Sequence, residues 1–258
     1  MNRTALDPGH LPRAYTIAQV RVENPTVRTL VLEGSMQAAP GQFVMAWLPG
    51  LDEKPFSLSG ANPLALTVAR VGPFTTALHS LAAGQRIWLR GPLGRPFSLC
   101  QGPLMLICGG CGAAPLFFLA QVARDAGLPV HALLGARTAG GLFFQDRFAA
   151  LGCVVHVATD DGSAGRLGTA VDAAISLLQS KRVPADTLYA CGPEPMLEAV
   201  YRLAHGRHLP CQLSYEAYMR CGIGVCGSCS RGGCLVCRDG PVFEHPPARS
   251  DYHPGSAP

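Results

Sequence analysis

From Tyr15 to about Leu99 the chain alternates short apolar runs with glycine and proline breaks, at 15–22, 28–33, 42–48, 64–71 and 85–90. In the first run Ala18, Val20 and Val22 alternate with Gln19, Arg21 and Glu23, and Leu64, Leu66 and Val68 repeat the same period of two. That period puts one set of side chains on a buried face and the other in water, which is the signature of strands. Evenly spaced strands with no long helical stretch between them predict a small antiparallel sheet structure, barrel or sandwich. After Gln101-Gly102-Pro103 the rhythm changes. Buried-type strands at 104–108, 130–135, 153–159 and 187–190 alternate with helical patterns at 114–126, 144–151, 169–179 and 195–204. Such alternation calls for a parallel sheet flanked by helices, with ligands expected beyond the carboxyl ends of its strands. From Leu213 the chain is rich in cysteine and glycine, and so short a segment needs a metal or its neighbours to stay ordered. Three regions are therefore expected, 1–100, 101–212 and 213–258.

Composition narrows the picture. Hydrophobic residues make up 48% of the 258 and charged residues 15%, so a large core is easily filled and long disorder is not expected. The net charge is +4, with no Lys/Arg block interleaved with aromatics, which argues against a nucleic-acid partner. The first fifteen residues include Pro8, Gly9 and Pro12 and lack the apolar centre of a secretory signal. The longest apolar stretches, 103–108 and 113–120, fall short of the roughly 20 residues a membrane-spanning helix needs. A soluble cytoplasmic protein is expected. Of eleven cysteines, five lie between Cys221 and Cys237, a local cluster that reads as metal binding rather than as disulfides.

The run Cys221-Gly-Ile-Gly-Val-Cys226-Gly-Ser-Cys229, followed by Cys234 and Cys237, carries the strongest chemical signal. A CxxxxCxxC loop with a later fourth cysteine has the spacing of plant-type [2Fe-2S] sites. Gly222, Gly224 and Gly227 let the backbone curl and aim N–H groups at the sulfurs. The competing reading is a structural zinc held by two CxxC pairs, Cys226/Cys229 and Cys234/Cys237. It leaves Cys221 without a role and only four residues between the pairs. A second constellation is the turn Gly109-Gly110-Cys111-Gly112 after the first strand of the parallel sheet, where backbone can approach a diphosphate at the start of a helix. Such a turn alone serves equally well as a tight connection. Cys191-Gly192-Pro193 ends the last expected strand of the same sheet, so both turns face one ligand region, although Cys191 also suits a packed thiol. The third is Lys54-Pro55-Phe56-Ser57, with Gly72-Pro73-Phe74-Thr75-Thr76 and Gly91-Pro-Leu-Gly94 further on. It combines a cation, aromatics and hydroxyls suited to a phosphate and a flat ring, or is simply a strand edge and two turns. No Ser/His/Asp or Cys/His nucleophilic arrangement stands out.

In this order and spacing the motifs resemble the ferredoxin reductase superfamily, and within it the electron-transfer subunits of dihydroorotate dehydrogenase. The likeness runs from about Tyr15 to His245, and includes Leu134-Gly-Ala-Arg-Thr138, Thr159-Asp-Asp-Gly-Ser163, Tyr189-Ala-Cys-Gly-Pro193 and Cys237-Arg-Asp-Gly-Pro-Val-Phe243. The resemblance implies an antiparallel barrel for FAD, an α/β domain for NAD and a C-terminal [2Fe-2S] module. It implies flavin contacts from Lys54, Pro55, Phe56, Ser57, Ala69, Arg70, Val71, Phe74, Thr75 and Thr76. Nicotinamide nucleotide contacts fall to Gly109, Gly110, Gly112, Cys191, Gly192 and Pro193, with Cys191 near the nicotinamide and no protein acid or base required. Cys221, Cys226 and Cys229 match the cluster ligands, and Cys237, standing before Asp-Gly-Pro-Val-Phe, is chosen over Cys234 as the fourth. Lys54 replaces the family's arginine, keeping the charge but losing the bidentate fork. The implied role is to carry electrons from a catalytic dihydroorotate dehydrogenase subunit, in a heterotetramer, through cluster and FAD to NAD+ for pyrimidine biosynthesis. Two other readings are a related NAD(P)H-dependent ferredoxin, hydrogenase or sulfur reductase subunit, and a non-enzymatic zinc-binding nucleotide sensor.

Overall fold

The computed structural model describes residues 11–180 and 183–247. The first ten residues, part of the stretch read for a secretory signal, and most of the proline-rich tail after His245 lie outside them.

The strands β1 (Arg13–Asn24), β2 (Val27–Leu32), β3 (Phe43–Leu48), β4 (Asp52–Ala61), β5 (Leu64–Ala69) and β6 (Arg86–Leu93) form a closed antiparallel barrel in the order β1-β2-β5-β4-β3-β6. Its interior is the inward half of the alternating pattern, with Ile17, Leu30, Leu66, Val68, Ile87 and Leu89 all buried. Barrel, not sandwich, is thus the outcome. Three elements differ from expectation, and one is Gly91-Pro-Leu-Gly94, read as a turn, whose first three residues belong to β6, where Leu93 pairs with Phe43. Residues 54–59, read as a strand edge, belong to the ten-residue strand β4, whose Pro55 pairs with Met45. A proline is accommodated because β4 pairs with β5 only from Leu58 onward, so around Pro55 one backbone edge carries no ladder. Gly72-Pro73, read as a turn, instead starts α1 (Pro73–His79). Proline at the first helical position has no N–H to lose there, and Phe74 and Leu78 drop from this helix into the barrel core.

The second unit is a seven-stranded sheet built from β7 (Leu104–Gly109), β8 (Val130–Ala136), β9 (Val154–Thr159), β10 (Arg166–Leu167), β11 (Thr187–Cys191), β12 (Cys211–Ser214) and a final strand. All pairings among those six are parallel. Helices α2 (Ala113–Asp125), α3 (Gln145–Ala150), α4 (Ala170–Gln179) and α5 (Glu194–Gly206) cover it, giving one apolar layer on each face. The C-terminal segment adds a small hairpin, β13 (Ser230–Arg231) and β14 (Cys234–Leu235), then α6 (Val236–Asp239). It returns as the sheet's last strand, β15 (Val242–Phe243), antiparallel to β12. The division expected between 212 and 213 falls inside β12, because Leu213 and Ser214 still pair with β11 and with β15.

The two large units are locked together. Phe118 of α2 packs into the barrel core. The Tyr189 hydroxyl accepts the Cys100 N–H at 3.0 Å and donates to the Ser98 carbonyl at 2.8 Å, while Gln212 Nε2 donates to that same carbonyl. Arg147 pairs with Glu23 of the barrel at 3.1 Å, its guanidinium 4.1 Å from the Phe144 ring centroid and 4.4 Å from that of Phe117. Leu106, central in β7, is fully buried. Leu106→Ala is expected to cost about 2–5 kcal/mol, seen as a lower urea midpoint in far-UV circular dichroism of the holoprotein.

Candidate functional site

A cleft of ≈ 810 Å³ opens between the barrel and the carboxyl ends of the parallel strands, within the roughly 300–1,000 Å³ usual for cofactor sites. One wall is the stretch of β4 that lacks a β5 partner, including Lys54, Pro55, Phe56 and Ser57. Ala69, Val71, Phe74 and Thr75 continue it. Arg70 and Thr76 flank this wall in sequence without lining the cleft. Phe56 and Phe74 stack at 6.1 Å between centroids, with 24° between their planes. Thr75 is occupied locally, its hydroxyl oxygen accepting the N–H groups of Val71 at 2.9 Å and Gly72 at 3.0 Å. Lys54 Nζ lies 2.7 Å from Asp52 Oδ2 and 5.7 Å from the Tyr218 ring centroid. The Lys54 ammonium, followed by the Glu53 N–H, holds the Asp52 carboxyl below its usual range.

The opposite wall comes from the parallel sheet. The 109–112 turn ends β7 and the 191–193 turn ends its neighbour β11, where Cys108 and Cys191 pair. The turns touch: a Cβ on Gly112 would collide with the Cys191 carbonyl, and one on Gly192 would lie 2.9 Å from Gly109 Cα. Here glycine is required for close approach. Of this set, Cys191 reaches the cleft, joined by Cys111. Burial, then the nearby Glu216 carboxylate, pushes the Cys191 thiol up to about 12, and burial pushes Cys111 up to about 11. Glu216 is open to solvent in the cleft yet flanked by protein, and that desolvation raises its carboxyl as well.

The third wall, Ser214 to Met219, was not singled out from sequence. It carries no glycine turn or motif, and the signal that would have found it is positional: it follows the carboxyl end of β12.

Beyond that wall the cysteine loop closes on itself. Cys221 Sγ accepts the N–H groups of Val225 and Cys226 at 3.4 Å, Cys237 Sγ accepts that of Gly224 at 3.2 Å, and Cys229 Sγ accepts that of Cys237 at 3.4 Å. Cys229 and Cys237 sulfurs are 3.2 Å apart. Cys229 and Cys237 thus form one thiol pair, and Cys226 meets the Cys221 sulfur through its backbone N–H, so four cysteines converge on one loop, a donor set that suits a two-iron cluster. Gly222, Gly224 and Gly227 all adopt left-handed φ near +70 to +78°, which is what wraps the loop. Cys234 sits in β14, outside these sulfur contacts. Cys229 and Cys237 are buried and Cys226 is exposed. Phe43 and Met219 line the cleft and also pack with Cys229 and Cys237.

Residues 216–246 match the iron-sulfur cluster binding domain of dihydroorotate dehydrogenase B. Over 232 residues the chain is 44% identical to a protein of Thermococcus kodakarensis named probable dihydroorotate dehydrogenase B (NAD(+)), electron transfer subunit, covering 90% of this chain and 96% of that one. The chain belongs to this electron transfer subunit family. A relative of the same name from Methanocaldococcus jannaschii is 41% identical, covering 90% of this chain and 89% of that one. Among solved structures, the NADH-dependent reduced ferredoxin-NADP oxidoreductase superposes with a TM-score of 0.80 at 30% identity, covering 94% of this chain and 89% of that one. A ferredoxin-NADP+ reductase from Neisseria gonorrhoeae with bound FAD and NADP shares the fold, at TM-score 0.64 and 19% identity, covering 76% of this chain and 91% of that one. In this electron transfer subunit the matched segment therefore begins at the cleft wall itself, at Glu216, and runs through all five clustered cysteines.

The raised thiol gives a direct test. At pH 8 a thiol at its ordinary value of 9.0 is about one-tenth thiolate, and one near 12 about one in ten thousand. Iodoacetamide should modify Cys191 about a thousandfold more slowly in native protein than in urea, read by peptide mass mapping.

Proposed function

We propose that this chain relays electrons released by a dihydroorotate-oxidising catalytic subunit to NAD+, serving pyrimidine biosynthesis. The observation that carries the reading is the shared wall: Phe43 and Met219 line the cleft and pack in one apolar cluster with the buried thiols Cys229 and Cys237. When bound, a [2Fe-2S] cluster passes electrons singly, FAD accepts them singly and returns them in pairs, and nicotinamide takes a hydride. The chain's own residues hold and orient. Cys221, Cys226, Cys229 and Cys237 are the proposed thiolate ligands, and the N–H groups of Gly224, Val225, Cys226 and Cys237 donate to their sulfurs. Such donors favour added negative charge.

Along β4 and α1, the Phe56 and Phe74 rings offer a flat apolar surface to the flavin, and Lys54 supplies a cation for its diphosphate. Lys54 must first give up some of its contact with Asp52. Ser57, Ala69 and Val71 complete that wall, with Pro55, Arg70, Thr75 and Thr76 in supporting positions. Gly109, Gly110, Gly112, Gly192 and Pro193 would hold the nicotinamide nucleotide at the two touching turns, with Cys191 the member of the set that lines the cleft. With its thiol pushed up to about 12, Cys191 stays neutral and contributes shape rather than charge. The exposed Cys226 edge faces outward, where the catalytic subunit delivers electrons. No helix among the described residues is long and apolar enough to cross a membrane. A heterotetrameric assembly, on the strength of the resemblance, and a cytoplasmic location, on the sequence pattern, complete the reading.

In anaerobic stopped-flow, NADH should bleach the flavin band and then the iron-sulfur bands of the holoprotein. A flavin that stays oxidised beside an intact cluster would refute the relay. Cys237→Ser should lose the [2Fe-2S] absorbance while Cys234→Ser keeps it, and the reverse pattern would move the fourth ligand to Cys234. Mixing with the catalytic subunit should confer dihydroorotate-dependent NADH formation.

A further inference from the structure

A partly buried ion pair outside the cleft reaches the cysteine loop from the barrel. Arg90 of β6 is only 9% exposed. Its Nε donates to Glu53 Oε1 at 3.1 Å and its Nη2 to Glu53 Oε2 at 2.8 Å, a two-pronged contact between the strands on either side of β3. The same Nη2 donates to the backbone carbonyl of Cys221 at 2.9 Å. Neither Arg90 nor Glu53 lines the cleft. The next residue, Gly222, has φ +70°, and a Cβ there would lie 2.9 Å from Met45 Cγ and 3.1 Å from Leu93 Cδ1. The first turn of the loop is therefore seated on β3 and β6, held by one guanidinium and by backbone contact too close for any side chain.

We propose that Arg90 is a positioning residue for the iron-sulfur cluster, and that Arg90 and Glu53 together set the cluster's reduction potential. The proposal rests on the reading of Cys221 as a ligand. The carbonyl contact brings the positive charge to the backbone of that ligand, in a site where water screens it poorly. Reduction adds one electron and breaks no bond, so a fixed cation beside the cluster stabilises the reduced state. Glu53, bound to the same guanidinium through its Nε and the shared Nη2, offsets part of that effect. The fork also fixes direction: a lysine at 90 would keep the charge but not bond Glu53 and the carbonyl in one plane.

The test is an anaerobic dithionite titration of full-length holoprotein with redox mediators, following the reduced cluster by electron paramagnetic resonance. Arg90→Gln leaves the Glu53 carboxylate uncompensated and should lower the midpoint potential; Glu53→Gln should raise it; Arg90→Lys should stay nearer wild type than Arg90→Gln. Opposite shifts are the signature, since a merely structural role would disturb cluster content without giving the two variants opposite signs. Shifts in the same direction, or unmoved potentials at full cluster content, overturn the proposal. Should Arg90→Gln fail to fold, Glu53→Gln decides alone, and an unchanged or lowered potential there is fatal. Cys221→Ser checks the underlying reading separately. If that variant kept the wild-type spectrum and resonance signal, the ligand assignment would fall and the proposal with it, whereas a lost cluster signal beside same-direction or unmoved potentials in the other variants would overturn the role of Arg90 alone.

Discussion

The packing of the last thirty or so described residues onto one end of the barrel is the constraint on which the rest depends. Phe43, Met45 and Leu93 from the barrel meet Met219, Cys229, Val236 and Cys237 in a single apolar cluster. Around it the backbone comes in close: the Arg95 N–H donates to the Gly240 carbonyl at 2.6 Å, and the Tyr215 N–H to the Pro241 carbonyl at 2.8 Å. A Cβ on Gly94 would lie 2.7 Å from Pro241 Cδ. A segment with so little regular structure has no core of its own. It borrows one, and by borrowing it fixes the thiols against the wall of the cleft.

A relay also needs its parts at constant distance. The barrel and the parallel sheet are tied by the Arg147–Glu23 pair and by the Tyr189 hydroxyl on the linker. On the other side of the cleft, Arg231 of the cysteine hairpin pairs with Glu194 at the start of α5, its guanidinium 5.0 Å from the Tyr215 ring centroid. The hairpin is thus bound both to the barrel and to the helix that follows the 191–193 turn. Each neighbour of the cleft is anchored to the other two.

Much of this was legible in sequence, and the gaps have physical reasons. Period-two alternation exposed most barrel strands because each has one face in the core. It did not reveal the full length of β4, since Pro55 is tolerated only where the β5 partner is missing, and partner identity is not a local property. Gly72-Pro73 reads equally as a turn and as a helix start; the tertiary burial of Phe74 and Leu78 decides between them. The three leading cysteines were readable because their loop wraps within nine residues. Cys237 and Cys234 could not be separated by spacing, as the difference lies in which of them a hairpin turns toward Cys229. Glu216, Tyr218 and Met219 announced nothing, being ordinary residues placed by the end of a strand. Arg90 and Glu53 look like surface charges on a barrel until the loop is seen resting on them.

The uneven exposure of the cysteines reaches past electron flow. Cys229 and Cys237 are sealed in the apolar cluster, whereas Cys226 stands in solvent with Val225 beside it, 78% exposed. Oxidants attack accessible sulfur first. A cluster held here would be sheltered on the side of Cys229 and Cys237 and open to solvent at Cys226. A partner covering Cys226 would therefore shield the cluster from oxidants as well as receive its electrons, and the lone subunit would lose its cluster in air faster than the complex.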